Sequence, residues 1–116
     1  MTGIYLPVRH GEGKFLVREP QVLERIEAEH LAALKYCQAD YGAPTMDYPL
    51  NPNGSTHAIA GVCDGSGRIF GLMPHPEAYV HRTHHPRWTR EEDLPEEGMG
   101  LWLYRNAVDF IRKELL

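Results

Sequence analysis

The chain has 116 residues, enough for one compact domain, and its 42% hydrophobic and 24% charged content is that of an ordinary globular protein rather than a disordered one. Lys and Arg total 12 against 16 Asp and Glu, a formal charge of −4 with seven His neutral, so no basic footprint points to a nucleic-acid partner. No apolar run has membrane-spanning length, the first residues lack a signal-peptide charge pattern, and two Cys cannot build a secreted disulfide framework; the expected compartment is the reducing cytoplasm.

Residues 4–8 (Ile-Tyr-Leu-Pro-Val) are apolar and β-favouring and predict a short strand that runs into the glycine turn Arg9-His10-Gly11-Glu12-Gly13. Phe15-Leu16-Val17 predicts another short strand. Over residues 20–34 the period becomes helical: Val22, Leu23 and Ile26, continued by His30 and Ala33, share one face, and Pro20 suits a first turn. Residues 32–37 then predict a strand carrying Leu34, Tyr36 and Cys37.

Prolines and glycines between residues 40 and 57 exclude a long helix or a central strand there. Residues 58–63 and 68–73 are two apolar runs joined by Asp64-Gly65-Ser66-Gly67, the signature of a β-hairpin. A polar stretch comes next, holding His81, His84, His85 and an acidic run over 91–97. Residues 101–115 predict a closing helix, with Leu101, Tyr104, Val108, Ile111 and Leu115 on its buried face.

Pro74-His75-Pro76-Glu77 is the sharpest chemical feature. In an extended backbone, residues two apart project to one side, so Glu77 can bond one nitrogen of His75 and free the other as a base. The competing reading is a surface His in a proline-rich loop. Gly61-Val62-Cys63-Asp64-Gly65 has the spacing of a nucleophile elbow, yet a second β run succeeds it where an elbow needs a helix. Cys63 therefore reads as a buried structural thiol. Cys37, with no glycine beside it, is weaker still.

His81, His84 and His85 are interleaved with Arg82 and Arg87, whose charge disfavours a divalent ion, so no metal site is expected and surface or ligand-facing roles are preferred. The acidic run reads as a solvated loop. His10-Gly11-Glu12-Gly13 could turn backbone N–H groups toward a ligand carboxylate or carbonyl. Asn51-Pro52-Asn53-Gly54-Ser55, by itself, is an ordinary turn cluster.

Taken in order, Leu6-Pro7-Val8-Arg9-His10-Gly11-Glu12-Gly13, Asn51-Pro52-Asn53-Gly54-Ser55, Ile59-Ala60-Gly61-Val62 and Gly71-Leu72-Met73-Pro74-His75-Pro76-Glu77 resemble the C-terminal half of the class I glutamine amidotransferase domain of phosphoribosylformylglycinamidine synthases. The tail, from Arg82-Thr83 through Trp88 to Tyr104-Arg105-Asn106-Ala107, is similar to the longer versions of that domain. The resemblance implies an α/β, partial flavodoxin-like fold over residues 1–116, with the nucleophile-bearing N-terminal part of the domain absent. It implies a Cys–His–Glu triad whose second and third members match His75 and Glu77. Residues His10, Gly11, Glu12 and Gly13 match a loop of the glutamine pocket.

In that family the Cys attacks glutamine's carboxamide, and the ammonia released serves a synthetase domain or subunit that amidinates formylglycinamide ribonucleotide in purine biosynthesis. ATP and magnesium are expected on the synthetase, because no phosphate-binding glycine loop of the required spacing is present here. No cofactor is expected on this chain itself. The expected partners are glutamine, the synthetase and the missing N-terminal half, with neither nucleic acid nor membrane. A second reading, from a different class, is a non-catalytic interaction module or inactive fragment of the same family.

Overall fold

The computed structural model of the protein describes residues 3–116. The chain divides into two compact units, one formed by His10–Met73 and the other by Gly3–Arg9 with Pro74–Leu116.

The His10–Met73 unit opens with helix α1, Pro20–Ala28. It is shorter than the helical period suggests because its end is locked. His30 has a left-handed backbone (φ 55°), Leu31 N–H donates to the Ile26 carbonyl at 2.8 Å, and His30 N–H donates to the Glu27 carbonyl at 3.3 Å. This pair of bonds is a Schellman closure, made with a His where Gly is usual. Glu27 then ties α1 to later parts of the chain, accepting from Lys35 Nζ at 2.9 Å and meeting His57 Nδ1 at 3.3 Å. Those two hydrogen bonds hold its carboxyl below the usual carboxylate range.

Three strands make one antiparallel sheet in the order β1 (Leu34–Lys35), β2 (Ile59–Cys63), β3 (Phe70–Leu72). The hairpin expected from residues 58–73 is present, with Gly61 opposite Leu72 and Cys63 opposite Phe70. Its turn is organised by the Asp64 carboxylate, which accepts from Ser66 Oγ and from the N–H groups of Arg68 and Ile69. Gly67 takes a left-handed φ of 70° that a side chain would strain.

The strand expected over residues 32–37 shrinks to Leu34–Lys35. A register irregularity interrupts the ladder there, and Cys37 makes only an isolated bridge to Pro44. No strand forms over residues 15–17. Phe15 is pinned instead by single bonds, its N–H to Ser55 Oγ at 3.0 Å and its carbonyl from Thr56 N–H at 2.9 Å. The core of this unit is small: Tyr36, Ala58 and Ala60, with Leu34 packed against them, and Ile59 fully buried.

The loop over residues 40–57 is organised by polar groups. Asn51 is 1% exposed and uses its whole carboxamide, donating to the Thr45 and Ser55 carbonyls and accepting from the N–H groups of Gly54 and Ser55. A 3₁₀ turn, Thr56–Ala58, then leads into β2 with left-handed backbone at His57 and Ala58.

In the second unit, residues 4–8 run without a ladder. Tyr5 N–H meets the Met99 sulfur, and the Pro7 carbonyl accepts from His75 N–H at 2.8 Å. Two 3₁₀ turns come after them, Pro76–Ala78 and Arg82–His84. Helix α2, Leu101–Glu114, agrees with the expected closing helix in extent. Its expected buried face does not hold: no residue of α2 is buried, and Tyr104, Val108, Ile111 and Leu115 are exposed. Tyr79, 2% exposed, is the apolar centre here, with Tyr5 edge-on at 6.0 Å and His85 at 5.8 Å between ring centres.

The α/β class expected from the sequence stands, since helices and a sheet share the chain. The sheet is antiparallel throughout, and no parallel, doubly wound arrangement forms among the described residues. None of the described helices is long and apolar enough to cross a membrane.

Candidate active site

Pro76 starts a 3₁₀ turn because its fixed φ and missing N–H suit a first helical position. His75 stands just before it in an extended conformation (φ −110°, ψ 90°), and Ala78 N–H closes the turn on the His75 carbonyl at 3.1 Å. The result is a turn rather than the extended segment expected from the sequence, and it still brings the two side chains together. His75 Nδ1 lies 2.6 Å from Glu77 Oε1.

Glu77's carboxyl is held below the usual carboxylate range, chiefly by this hydrogen bond, with attraction to Arg9 adding to it. At neutral pH it is an anionic acceptor. That makes Nδ1–H the donor, and in the neutral imidazole it is Nε2 that carries the lone pair. His75 is partly exposed and Glu77 more so, so the free nitrogen is reachable.

Residues 10–13 lie in the other unit. They form a tight turn in which Gly13 N–H donates to the His10 carbonyl at 2.6 Å and Gly11 adopts a φ of 49°. A Cβ on Gly13 would sit 2.9 Å from the His10 carbonyl, so the turn requires glycine there. His10 Nε2 is 3.4 Å from the Tyr36 hydroxyl, whose ionisation is pushed up by burial. His10 Nδ1 is buried with no hydrogen-bond partner among the described residues. Sequence reasoning missed Asn53, which donates from Nδ2 to both the Gly11 carbonyl (2.6 Å) and the Gly13 carbonyl (2.7 Å). The only signal for it in the sequence is its place in the 51–55 motif, one of those that carry the family resemblance.

Cys63 ends β2 and is succeeded by the hairpin turn and β3, so the strand–turn–helix of a nucleophile elbow is not formed around it. Its N–H donates to the Leu31 carbonyl at 2.9 Å, and its partly buried thiol faces the same oxygen at 3.7 Å.

The three later histidines are structural acceptors. His81 Nδ1 takes the Thr83 N–H, His84 Nδ1 those of Val80 and His81, and His85 Nδ1 that of Arg87. His85 is buried beside Tyr5 and Tyr79, which corrects the surface or ligand-facing role expected for it. No group of three or more His, Cys, Asp or Glu side chains that could hold a metal ion occurs among the described residues. Within the acidic run, Glu97 pairs with Arg105 and Glu91 with Arg87.

A His–carboxylate pair on a proline-fixed turn, in a chain whose residues 1–111 match the CobB/CobQ-like glutamine amidotransferase domain, defines the class: the chain belongs to that family. It is 46% identical over 110 residues to the phosphoribosylformylglycinamidine synthase subunit PurQ of Dehalococcoides mccartyi, a match covering 95% of this chain and 40% of that protein. It is 34% identical over 119 residues to the subunit of the same name from Methanococcus maripaludis strain C7, covering 95% of this chain and 43% of that one. It is also 50% identical over 70 residues to phosphoribosylformylglycinamidine synthase of Drosophila melanogaster, across 60% of this chain and 5% of that protein. The chain thus spans about two fifths of the length of the PurQ relatives it matches.

Proposed function

We propose that this chain is the His–Glu-bearing part of a flavodoxin-like glutaminase domain. The glutaminase would supply ammonia for the ATP-dependent conversion of formylglycinamide ribonucleotide to formylglycinamidine ribonucleotide in the cytoplasm. The observation that carries the reading is the 2.6 Å contact between His75 Nδ1 and Glu77 Oε1. Family membership and the names of the relatives support it.

In this reading His75 Nε2 takes the proton of a cysteine thiol as the sulfur attacks the carboxamide carbon of glutamine. The C–N bond then breaks, and the imidazolium returns the proton to the departing nitrogen, which leaves as ammonia. A water, deprotonated by the same nitrogen, then attacks the thioester carbon; the C–S bond breaks, glutamate leaves, and the imidazolium returns the proton to the cysteine sulfur. Glu77 stabilises the imidazolium and fixes its tautomer. The thiol is assigned to a segment other than residues 1–116, because neither Cys63 nor Cys37 stands on an elbow. Residues 10–13 are assigned to the glutamine pocket, and ATP with magnesium to the synthetase partner.

The test is ammonia release from glutamine by the chain alone and by the chain combined with the preceding segment of the Dehalococcoides mccartyi relative. The combination should be active and the chain alone inactive. Activity of the chain alone that vanishes in Cys63→Ser would overturn the assignment of the nucleophile. Reconstituted activity unaffected by His75→Ala would favour the non-catalytic reading.

A further inference from the structure

We infer that Asn53 is a positioning residue for a ligand carboxylate held at the 10–13 turn; the inference rests on the glutamine reading of residues 10–13. Its carboxamide spends both N–H bonds on one task. Nδ2 lies 2.6 Å from the Gly11 carbonyl oxygen and 2.7 Å from that of Gly13, so two alternate peptides of the 10–13 turn are drawn toward one nitrogen.

Both peptides are trans. In a planar trans peptide the N–H points opposite to the C=O. The Gly11 carbonyl shares its peptide with Glu12 N–H, and the Gly13 carbonyl shares its peptide with Lys14 N–H. Pinning the two oxygens on Asn53 therefore turns these two N–H groups away from it, toward the open side of the turn. Among the described residues neither N–H meets an acceptor, and residues 11–14 are all exposed. Two outward N–H groups two residues apart, on Glu12 and Lys14, form a donor pair suited to a carboxylate, and the ammonium of Lys14 adds charge of the right sign. The α-carboxylate of glutamine is the group of that substrate with this chemistry.

The turn does not hold this arrangement unaided. Gly11 and Gly13 leave the backbone free to flip either peptide, since a glycine crosses between backbone regions at little cost. Asn53 removes that freedom, and its own placement is set by the turn that buried Asn51 organises around Gly54 and Ser55.

The test is a titration of the isotopically labelled 116-residue chain with L-glutamine, monitored through the backbone amide resonances, in the native protein and in Asn53→Ala and Asn53→Asp. Glutamine should shift the Glu12 and Lys14 amides of the native chain. Both variants should weaken that response at least about tenfold, a ratio worth ~1.4 kcal/mol at 25 °C. Their unfolding midpoints and the resonances of β2 and β3 should stay in place, which a merely structural role for Asn53 would not allow. Asn53→Ala guards against misfolding of the Asp variant, whose carboxylate would face two carbonyl oxygens. A native response retained within twofold in both variants would overturn the role of Asn53 and leave the glutamine reading standing. A response to glutamine that spares Glu12 and Lys14 would also overturn it. No response in the native chain would overturn the glutamine reading of this turn, and with it the role given to Asn53.

Discussion

A methyl group built on Gly100 would overlap the carbonyl oxygen of Pro76, the first residue of the turn that carries Glu77. The start of α2 is seated on that turn without a side chain between them, and Gly100 N–H donates to the Tyr79 carbonyl at 2.9 Å. Gly100→Ala should therefore push the Pro76–Ala78 turn out of place. Overpacking of this kind costs about 1–3 kcal/mol. The expected result is a lower unfolding midpoint together with altered His75 imidazole nitrogen shifts. An unchanged midpoint with unchanged shifts would show that the contact gives way harmlessly.

The His75–Glu77 pair has a defined pH window. Glu77's carboxyl is lowered by its hydrogen bond to His75, so its folded value lies under the ordinary one of about 4.3. A group depressed in this way contributes stability above its unfolded value and loses it as the pH falls through its folded value. The pair should thus persist from neutral pH down through the ordinary carboxylate range and break only below it. A carbon-detected titration of the Glu77 carboxyl would show a midpoint at or above about 4.3 if the pairing were absent. In the reconstituted glutaminase His75→Ala should cost about 10²–10⁴-fold in rate, as expected for loss of the proton carrier. Glu77→Gln should cost less, because the carboxylate acts through the imidazole.

Asn51 provides the third prediction. It is buried and satisfies four backbone groups of residues 45–55 with one carboxamide. Asn51→Ala strands these groups away from water and should destabilise the chain by roughly 2–4 kcal/mol. Denaturant unfolding would report it. A loss under about 0.5 kcal/mol, the scale of a surface change, would mean that water replaces the amide.

How legible these features were depends on which forces set them. The β2–β3 hairpin was readable because two apolar runs and a Gly-containing turn agree locally, and Asp64 completes that turn within five residues. Helix α1 was overextended because its stop is a His in a left-handed conformation, where sequence offers no glycine to mark it. The strands expected at residues 4–8 and 15–17 have β-favouring composition, yet pairing is non-local and their partners bond only once or twice. His75 and Glu77 were readable from spacing, although the backbone that joins them is a 3₁₀ turn. Asn53 reaches 40 and 42 residues back along the chain, a relation that no local pattern contains.

Helix α2 leads to the final prediction. Tyr104, Val108, Ile111 and Leu115 recur at three- and four-residue steps, which places them in one stripe along the helix. Their exposures of 46, 45, 45 and 58% leave that stripe largely in contact with water. Large contiguous apolar patches on a soluble surface seek a covering partner, whether another protein or a second copy. Sedimentation at rising concentration should therefore reveal self-association of the chain. Replacing Val108 and Ile111 together by Gln keeps helix propensity and net charge while removing branched apolar surface from the stripe. The double variant should sediment as a smaller species with unchanged helical content. Its unfolding midpoint should cease to depend on protein concentration, because association stabilises only the folded form. A native chain that is monomeric at every concentration, with a sharp and cooperative transition, would mean that the stripe carries no association and that the small cores around Ile59 and Tyr79 are sufficient by themselves.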